Sequence, residues 1–343
     1  MKAFHDPGEA AHHPKFFLMR GALRANYEIP ARAASLREGL ARLGLVPEVA
    51  PGIPHHALLW AHEPAYLDFL RDAAAEWATL PEPGPEVVGN VHPTPEMISQ
   101  GGRVPGGLVG RVGWFTADAA CPIGPGTWDA ARGAAACALA AAQVAAGGGD
   151  AYALCRPPGH HAYAARAGGH CYINNAAIAV EALRLAGAAR VAVLDIDSHH
   201  GNGTQGIFWK RGDVLTVSVH GDPNRYYPWF VGHAAERGAG PGTGCNRNLP
   251  LPFGTGDGEW LAAIGQGLEA IRAFKPEALV LSLGFDASEH EPLAALKVTV
   301  EGFARAGEAI GALHLPTAIC QEGGYNCDIL GDLLARFLSG FGR

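Results

Sequence analysis

Short apolar runs alternate with longer amphipathic segments over the carboxyl-terminal two-thirds of the chain. The runs are brief, mostly apolar and rich in Val, Leu and Ala, which is typical of buried strands. We predict strands at 152–155, 190–194, 214–219, 279–283 and 317–320. Because strands that alternate with helices form parallel sheets covered on both faces, the pattern predicts an α/β fold. Ligands of such sheets bind at the carboxyl ends of the strands.

Leucine and aromatic residues at helical spacing define the segments between and before these strands. We predict helices at 31–43, 63–77, 128–146, 175–185, 259–274, 302–312 and 330–337. Residues 1–30, rich in His, Pro and Gly, predict an irregular segment near the site or at an interface. Residues 81–113 are rich in Pro and Gly, and we interpret them as a long inserted loop in one domain spanning 1–343, since the pattern on both sides belongs to one sheet.

Composition and charge narrow the possible partners. The chain has 26 Lys and Arg against 33 Asp and Glu, a formal charge of -7, and no run of five basic residues, which excludes the electrostatic pattern of a nucleic-acid binder. Its seven cysteines are scattered without a C-x-x-C pair, which predicts free thiols in a reducing cytosol. The N-terminus lacks an apolar signal segment. The predicted helix at 128–146 is rich in alanine and too weakly hydrophobic to span a bilayer. We therefore expect a cytoplasmic protein without a membrane partner.

The segment VAVLDIDSHHGNGTQ, residues 191–205, turns abruptly from apolar to polar. Asp195, Asp197 and His199 follow one another at spacing two, so their side chains project to one face while the chain stays extended. Burying two carboxylates without a partner costs several kcal/mol or more, and a divalent cation is the natural partner. The segment therefore predicts a metal site at the end of its strand.

Polar clusters also follow three further predicted strands. These clusters contain His160 and His161 in RPPGHH, Asp286 in SLGFDASEHEP and Tyr325 in EGGYN. Taken singly, such residues are more often helix caps, loop features or packed aromatics. Their joint occurrence at the ends of parallel strands predicts that they converge. Asp197, His199 and Asp286 would then give a metal three protein ligands and one open position, the pattern of a catalytic site.

The segments RPPGHH, DIDSHHGNGTQ, SLGFDASEHEP and EGGYN, in this order, resemble the metal-dependent deacetylases. These are the histone deacetylases and the bacterial acetylpolyamine amidohydrolases, which share the arginase-deacetylase fold. The resemblance extends from about residue 31 to the C-terminus. It implies zinc held by Asp197, His199 and Asp286, and this hard ligand set would also accept Fe²⁺ or Co²⁺. It further implies a structural K⁺ near the zinc, at Asp195, Asp197, His199, Ser218 and Val219.

The resemblance also implies catalytic roles. His161 would act as general base and then general acid, with His160 as its electrostatic partner. Tyr325 would donate its O–H to the developing oxyanion. Asp195 would hydrogen-bond His160 and Asn202 would hydrogen-bond His161. Because a neutral amide raises a histidine pKa less than a carboxylate does, Asn202 leaves His161 more readily neutral and fit to act as a base.

The resemblance places four residues along a substrate channel: Gly169, His170, Tyr227 and Leu293. Histone deacetylases have phenylalanines at the positions of His170 and Tyr227. Histone deacetylases have an aspartate at the position of Asn202, and in this respect the chain resembles the polyamine branch.

Two positions before PGTW depart from the polyamine branch. Where that branch places glutamates to attract a polycation, this chain has Val109 and Ala120, and Asp118 is the nearest carboxylate. Since a cation in a dry channel needs a charge partner, this departure weakens the prediction of a polyamine substrate. The loop at 81–113 resembles an insertion that mediates dimer formation in bacterial members, so we expect a homodimer or a higher homo-oligomer.

Several functions fit these features. The leading hypothesis is a zinc-dependent amidohydrolase, a deacetylase that cleaves a short-chain N-acylated amine such as an acetylpolyamine or acetyl-lysine. An amide or ester hydrolase of aryl or xenobiotic substrates would use the same site. A two-manganese ureohydrolase would need further bridging aspartates. A non-catalytic metal-dependent module that binds acyl ligands is the fourth alternative, and His161 and Tyr325 argue against it.

Overall fold

A computed structural model of the protein describes residues 1–342. Its strands are β1 Lys2–His5, β2 Phe16–Met19, β3 Ala22–Ala25, β4 Glu48–Val49, β5 Ala151–Ala153, β6 Val191–Asp195, β7 Val214–Gly221, β8 Asn246–Leu251, β9 Ala278–Leu283 and β10 Thr317–Gln321. Its helices are α1 Ala31–Arg42, α2 His55–Leu58, α3 Pro64–Trp77, α4 Pro95–Ser99, α5 Leu108–Phe115, α6 Thr127–Ala146, α7 Asn175–Leu185, α8 Asn202–Phe208, α9 Asp257–Phe274, α10 Val300–Gly311 and α11 Cys327–Phe341.

Eight strands form one sheet in the order β4-β1-β5-β10-β9-β6-β7-β8, and every neighbouring pair is parallel. The predicted α/β fold is confirmed. The central strands β6 and β9 are buried along their whole length, which explains why their sequences are apolar on both faces. All five predicted strands are present within two residues of their predicted ends.

Helices cover both faces of the sheet. On β6, Val191 and Val193 pack into the core formed with α3, α5, α6 and α7. Ala192 and Leu194 pack into the opposite core formed with α1, α9, α10 and α11. Because successive side chains of a strand point to opposite faces, one apolar run contributes to both cores. This double burial fixes the carboxyl end of β6, where the polar residues begin.

The prediction of an irregular segment over residues 1–30 was wrong. β1 pairs with β4 and β5 inside the sheet, and β2 and β3 form an antiparallel hairpin. We call residues 16–25 the N-terminal hairpin. Its two central residues, Arg20 and Gly21, have positive φ angles of 51° and 75°, as a tight two-residue turn requires. The hairpin lies outside the eight-stranded sheet and reaches the cavity described below.

Residues 81–113 are mostly irregular but contain α4 and the first part of α5. Several apolar side chains of this segment are exposed, namely Val91, Met97, Ile98, Val104 and Val109. Its interpretation as an inserted loop stays a prediction.

Over residues 1–342, no helix combines the length and the apolar character needed to cross a membrane. The seven cysteines are free thiols, as predicted.

Candidate active site

Four neighbouring strands of the sheet, in the order β5-β10-β9-β6, deliver the predicted polar clusters to one edge. The loop after β5 carries His160 and His161, and the loop after β6 carries Asp197 and His199. The loops after β9 and β10 carry Asp286 and Tyr325 in the same way. Residues more than 160 positions apart in sequence therefore meet at the carboxyl ends of the strands.

Asp197, His199 and Asp286 form a compact buried cluster. One potential ligand atom from each lies within 4.8 Å of the others. Nδ1 of His199 is 2.8 Å from Oδ2 of Asp286 and 3.2 Å from Oδ1 of Asp197. Both carboxylates are fully buried, where unpaired negative charge is costly.

The charge around His199 fits a bound cation. Burial would lower the pKa of this histidine, but the Asp286 and Asp197 carboxylates raise it to about 9. The same two carboxylates that favour a proton here favour any cation at this point. Two carboxylate oxygens and one ring nitrogen converging on one position fit a divalent ion such as Zn²⁺.

Backbone amides orient the two carboxylates. Asp286 accepts a hydrogen bond from the amide of Ser198 at 2.8 Å, and Asp197 accepts one from the amide of Gly323 at 2.8 Å. Gly284 packs so closely against Asp197 that a Cβ atom there would lie 2.1 Å from Oδ2. Glycine at this position therefore leaves room for a ligand carboxylate.

The tandem histidines stand side by side with different partners. Their ring centroids are 4.0 Å apart. Nδ1 of His160 is 2.9 Å from Oδ2 of Asp195, and Nδ1 of His161 is 2.6 Å from Oδ1 of Asn202. One ring thus faces a carboxylate and the other a neutral amide. Each Nδ1 donates to its partner, which leaves Nε2 of His161 free to accept a proton.

This difference separates the charge states of the two rings. Burial would lower the pKa of His160, but Asp195 and Asp197 raise it well above the ordinary histidine value. For His161, burial and the nearby His160 and His199 rings all lower the pKa, well below that value. The site therefore pairs a protonated imidazole with a neutral one, the form that can act as a base.

A second group of side chains could also offer ligands to a metal. One potential ligand atom each from His160, Cys171 and Glu322 lies within 4.8 Å of the others. Oε2 of Glu322 already accepts hydrogen bonds from two backbone N–H groups, that of Gly159 at 2.7 Å and that of His160 at 3.1 Å. Burial raises the pKa of the Cys171 thiol well above its ordinary value, so the sulfur stays protonated and is a poor ligand. This group positions the His160 loop rather than a metal.

The residues assigned by resemblance to potassium include Asp197 and His199 of the cluster itself, together with Asp195 on β6 and two residues of the neighbouring strand β7. Ser218 on β7 is paired in register with Asp195 on β6, and Val219 follows it. Asp195 also accepts the amide of Asp197 at 3.1 Å. The hydroxyl of Ser218 is engaged with Nδ1 of His220 at 2.8 Å. A potassium ion at these residues stays a prediction.

A cavity of about 390 Å³ opens above the cluster. His161, His199 and Tyr325 reach it, and all four residues assigned to the substrate channel line its walls. The complete lining is Phe17, Leu18, Met19, Arg20, Ala120, His161, Gly169, His170, His199, Arg225, Tyr226, Tyr227, Trp229, Phe253, Pro292, Leu293, Ala294 and Tyr325. The walls are thus mainly apolar and aromatic.

Tyr325 is held from its backbone while its hydroxyl stays available. Its amide donates to Glu291 at 2.9 Å, and the guanidinium of Arg32 lies 4.9 Å from the centre of its ring. Nε of Arg32 also donates to the carbonyl of Gly324 at 2.6 Å. Burial raises the pKa of the Tyr325 hydroxyl well above its ordinary value. At neutral pH this group is therefore an O–H donor.

The two altered wall positions are both polar-tipped rings in fixed orientations. Tyr227 donates its O–H to Oδ2 of Asp118 at 2.6 Å, and Asp118 also accepts the amide of Gly169 at 3.1 Å. His170 faces the carbonyl of Ala120, and burial lowers the pKa of this histidine to about 4. His170 is therefore a neutral aromatic wall at pH 7, and Asp118 is already occupied within the protein.

Sequence reasoning placed residues 1–30 near the site or at an interface but missed the hairpin that they form, and it missed Tyr226. The N-terminal hairpin supplies Phe17, Leu18, Met19 and Arg20 to the cavity, and the ring of Tyr226 stacks on His199 at 4.4 Å between centroids. The hairpin has a local signal, because the apolar runs FFLM and ALRA flank the turn dipeptide Arg20-Gly21. Tyr226 carries no such signal beyond its position beside Tyr227.

Comparison with known proteins agrees with this geometry. The family model described as "Histone deacetylase domain" matches residues 26–341. The fold and the match together define a hydrolase of the deacetylase class. The chain belongs to the histone deacetylase family.

Several relatives match over the full length. The acetylpolyamine amidohydrolase of Burkholderia pseudomallei is 44% identical, with 100% of this chain and 99% of the relative covered. Acetylpolyamine amidohydrolase 1 of Pseudomonas aeruginosa is 40% identical, with 99% of each chain covered. The crystal structure of acetylpolyamine aminohydrolase from Burkholderia pseudomallei superposes with a TM-score of 0.95 at 43% identity and covers 100% of this chain and 98% of that one.

Proposed function

We propose that this protein is a zinc-dependent amidohydrolase that removes a short acyl group from an N-acylated amine such as an acetylpolyamine or acetyl-lysine. One observation carries the proposal: His199 of the buried ligand cluster, the neutral His161 and the Tyr325 hydroxyl all face the same cavity. The family assignment and the names of the full-length relatives support it.

The reaction adds water across an amide, which breaks the C–N bond and releases a carboxylate and an amine. A Zn²⁺ ion held by Asp197, His199 and Asp286 would supply a Lewis acid that polarises the carbonyl and lowers the pKa of water. The chain's own residues then move protons and stabilise charge. His161 takes the proton of the attacking water and returns it to the departing amine.

Asn202 and His160 prepare His161 for this role. The amide oxygen of Asn202 accepts a hydrogen bond from the N–H at Nδ1 and so directs Nε2 of His161 towards the cavity. His160, charged against Asp195, keeps the pKa of its neighbour low by electrostatic repulsion. Tyr325 donates its O–H to the oxygen that becomes negative in the transition state.

A metal-reconstitution assay tests the proposal. Protein freed of metal by a chelator is reloaded with Zn²⁺, Fe²⁺ or Co²⁺ and assayed on acetyl-lysine, acetylputrescine and acetanilide, with His161→Ala as control. We expect metal-dependent turnover that the variant lacks. If no metal restores turnover on any substrate, the non-catalytic binding module is the better explanation.

An aryl amide is a second candidate substrate. Phe17, Trp229 and Phe253 line the cavity and offer aromatic faces to an aryl group. Turnover of acetanilide above that of the two aliphatic substrates would favour this alternative. The catalytic residues would be the same in both cases.

The structural K⁺, the cytoplasmic location and a homodimeric or higher assembly belong to the same proposal. Exposed apolar side chains on residues 81–113, including Val91 and Val109, support an interface there. Light scattering of the protein and of a variant with Val91 and Val109 both changed to serine tests it. We expect the variant to have a lower mass than the original protein.

A further inference from the structure

The permanently charged side chains that line the cavity are all of one sign. Among the described residues that line it, Arg20 and Arg225 carry permanent positive charge, and none is an aspartate or a glutamate. His170 is neutral at pH 7 because burial lowers its pKa to about 4. The formal charge of the whole chain is -7, so the positive charge at the cavity is a local feature.

Neither arginine is neutralised within the protein. Over residues 1–342, no ion pair or side-chain hydrogen bond engages Arg20 or Arg225. The guanidinium of Arg225 lies 5.3 Å from the centre of the Phe253 ring, which orients it without cancelling its charge. Both side chains are exposed at the cavity. Their donor groups are therefore available to a ligand.

Two further carboxylates contact residues of the cavity walls, and both are already engaged. Asp118 accepts hydrogen bonds from Tyr227 and Gly169. Glu291 accepts the backbone amides of Tyr325 and Asn326. These carboxylates hold the walls in place, and neither lines the cavity where it would meet a cationic ligand.

The position of Arg20 is unfavourable for its own backbone. It occupies the first central position of the two-residue turn between Met19 and Ala22, with a φ of 51°. Asparagine or glycine is favoured there, because most side chains are strained at positive φ. An arginine at this position is not explained by the turn, and strained residues cluster where a side chain serves a ligand.

We infer that the enzyme prefers N-acylated amines that carry a carboxylate at the end remote from the acyl group, and that Arg20 and Arg225 bind this carboxylate. The inference rests on the proposed function and narrows its substrate class to acylated amino acids rather than acylated polyamines. A guanidinium matches a carboxylate with two parallel hydrogen bonds. A polycation would instead meet two positive charges without a partner.

Three substrates of matched length separate the possibilities. Each has an acetamide on a four-carbon chain that ends in carboxylate, ammonium or methyl: δ-acetamidovalerate, N-acetylputrescine and N-pentylacetamide. With zinc-loaded enzyme we expect kcat/KM to be highest for the carboxylate, lower for the neutral methyl and lowest for the ammonium, which the two arginines repel. The difference should lie mainly in KM, because contacts remote from the reacting carbonyl bind substrate and transition state alike.

Substitutions in the N-terminal hairpin test the role of Arg20. Arg20→Asn removes the charge and suits the turn better, so the variant should fold well. We expect it to lower the ratio of kcat/KM for the anionic over the cationic substrate by about threefold to fivefold, and Arg225→Gln to do the same. Arg24→Asn is the matched control, since Arg24 lies on the same hairpin but does not line the cavity.

The outcomes distinguish the inference from the proposed function. Turnover of any of the three substrates would support the proposed function. The inference would be overturned by a higher kcat/KM for the cationic than for the anionic substrate. It would also be overturned if the anionic-to-cationic ratio of kcat/KM were the same in Arg20→Asn and Arg24→Asn. Absence of turnover on all three substrates would overturn both. Salt screens exposed charges. As ionic strength rises, we therefore expect the ratio of kcat/KM for the anionic over the cationic substrate to fall in the original enzyme and to approach the ratio of the Arg20 and Arg225 variants.

Discussion

Oδ1 of Asn202 lies 2.6 Å from Nδ1 of His161, and this neutral partner distinguishes His161 from the neighbouring His160. Burial and the adjacent rings already lower the pKa of His161. An amide fixes the orientation of the ring without stabilising its protonated form as a carboxylate would. The pair therefore sets the pH at which His161, the proposed base, becomes neutral.

We expect Asn202→Asp to move the acidic limb of the kcat/KM profile to higher pH. A carboxylate at 202 stabilises the protonated ring, so the pKa of His161 rises by about one unit or more. Since the base works in its neutral form, activity is then lost at a higher pH. The check is a pH-rate profile with metal content measured on the same samples. An unmoved limb at full metal content would contradict the assignment of His161 as the base.

Tyr325→Phe should keep its metal but lose most of its turnover. Removing one oxyanion donor costs about 2.7 to 4 kcal/mol in the barrier, or about 10²–10³ in kcat. Steady-state kinetics and elemental analysis check this result. Tyr226→Phe is the matched control, because its hydroxyl also lies at the cavity but already donates to the carbonyl of Leu293 at 2.8 Å. Near-normal kcat in Tyr325→Phe would rule out the proposed role.

Gly284→Ala should lose the metal without touching a ligand residue. The added Cβ would lie 2.1 Å from Oδ2 of Asp197, so the carboxylate must move. We expect substoichiometric zinc after purification and little activity. Gly265→Ala in α9 is the control, because no heavy atom lies within 4 Å of its added Cβ. Full zinc occupancy in Gly284→Ala would show that Asp197 can relax and still bind.

His62 should make the fold sensitive to mild acid. Burial lowers the pKa of this histidine from 6.5 to about 4, and its Nε2 accepts the amide of Asn174 at 2.9 Å. The unfolded chain therefore binds the proton first as the pH falls from 6.5 to 4. The stabilisation from neutral His62 is complete above pH 6.5 and is lost over that interval, by at most about 1.4 kcal/mol per pH unit.

The variant His62→Gln isolates this contribution, because its side-chain oxygen can accept the same amide without titrating. Denaturant unfolding of the metal-free original protein and of the variant, between pH 6.5 and 4, gives the slope of the free energy of unfolding against pH for each protein. We expect the free energy of unfolding to fall less steeply with acidification in the variant. Equal slopes would show that His62 does not titrate differently in the folded and unfolded chains.

Much of the sheet could be predicted because its strands are buried on both faces. Burial makes β6 and β9 continuous apolar runs, and the change to polar residues after them marks the strand ends that carry Asp197 and Asp286. The position of these residues follows from the topology of a parallel sheet. The apolar-to-polar changes in the sequence therefore predict where the candidate site lies.

Other features depend on contacts between distant residues and had no local signal. β1 is four residues long and is stabilised by pairing with β4 and β5, which lie far along the chain. Arg32 holds the carbonyl of Gly324 across nearly the whole sequence. The hydrogen bond from Tyr227 to Asp118 likewise joins separate loops. Patterns of neighbouring residues cannot report such pairings.

The N-terminal hairpin gives recognition and chemistry separate structural supports. Its strands pair with each other and with no strand of the eight-stranded sheet in the part of the chain described, whereas the proposed metal ligands follow β6 and β9. With the role inferred for Arg20, we expect point mutations in the turn at Arg20 and Gly21 to alter which acyl compounds are accepted while the proposed hydrolytic centre stays intact. Such modularity makes the hairpin the place where substrate preference can be redesigned one residue at a time.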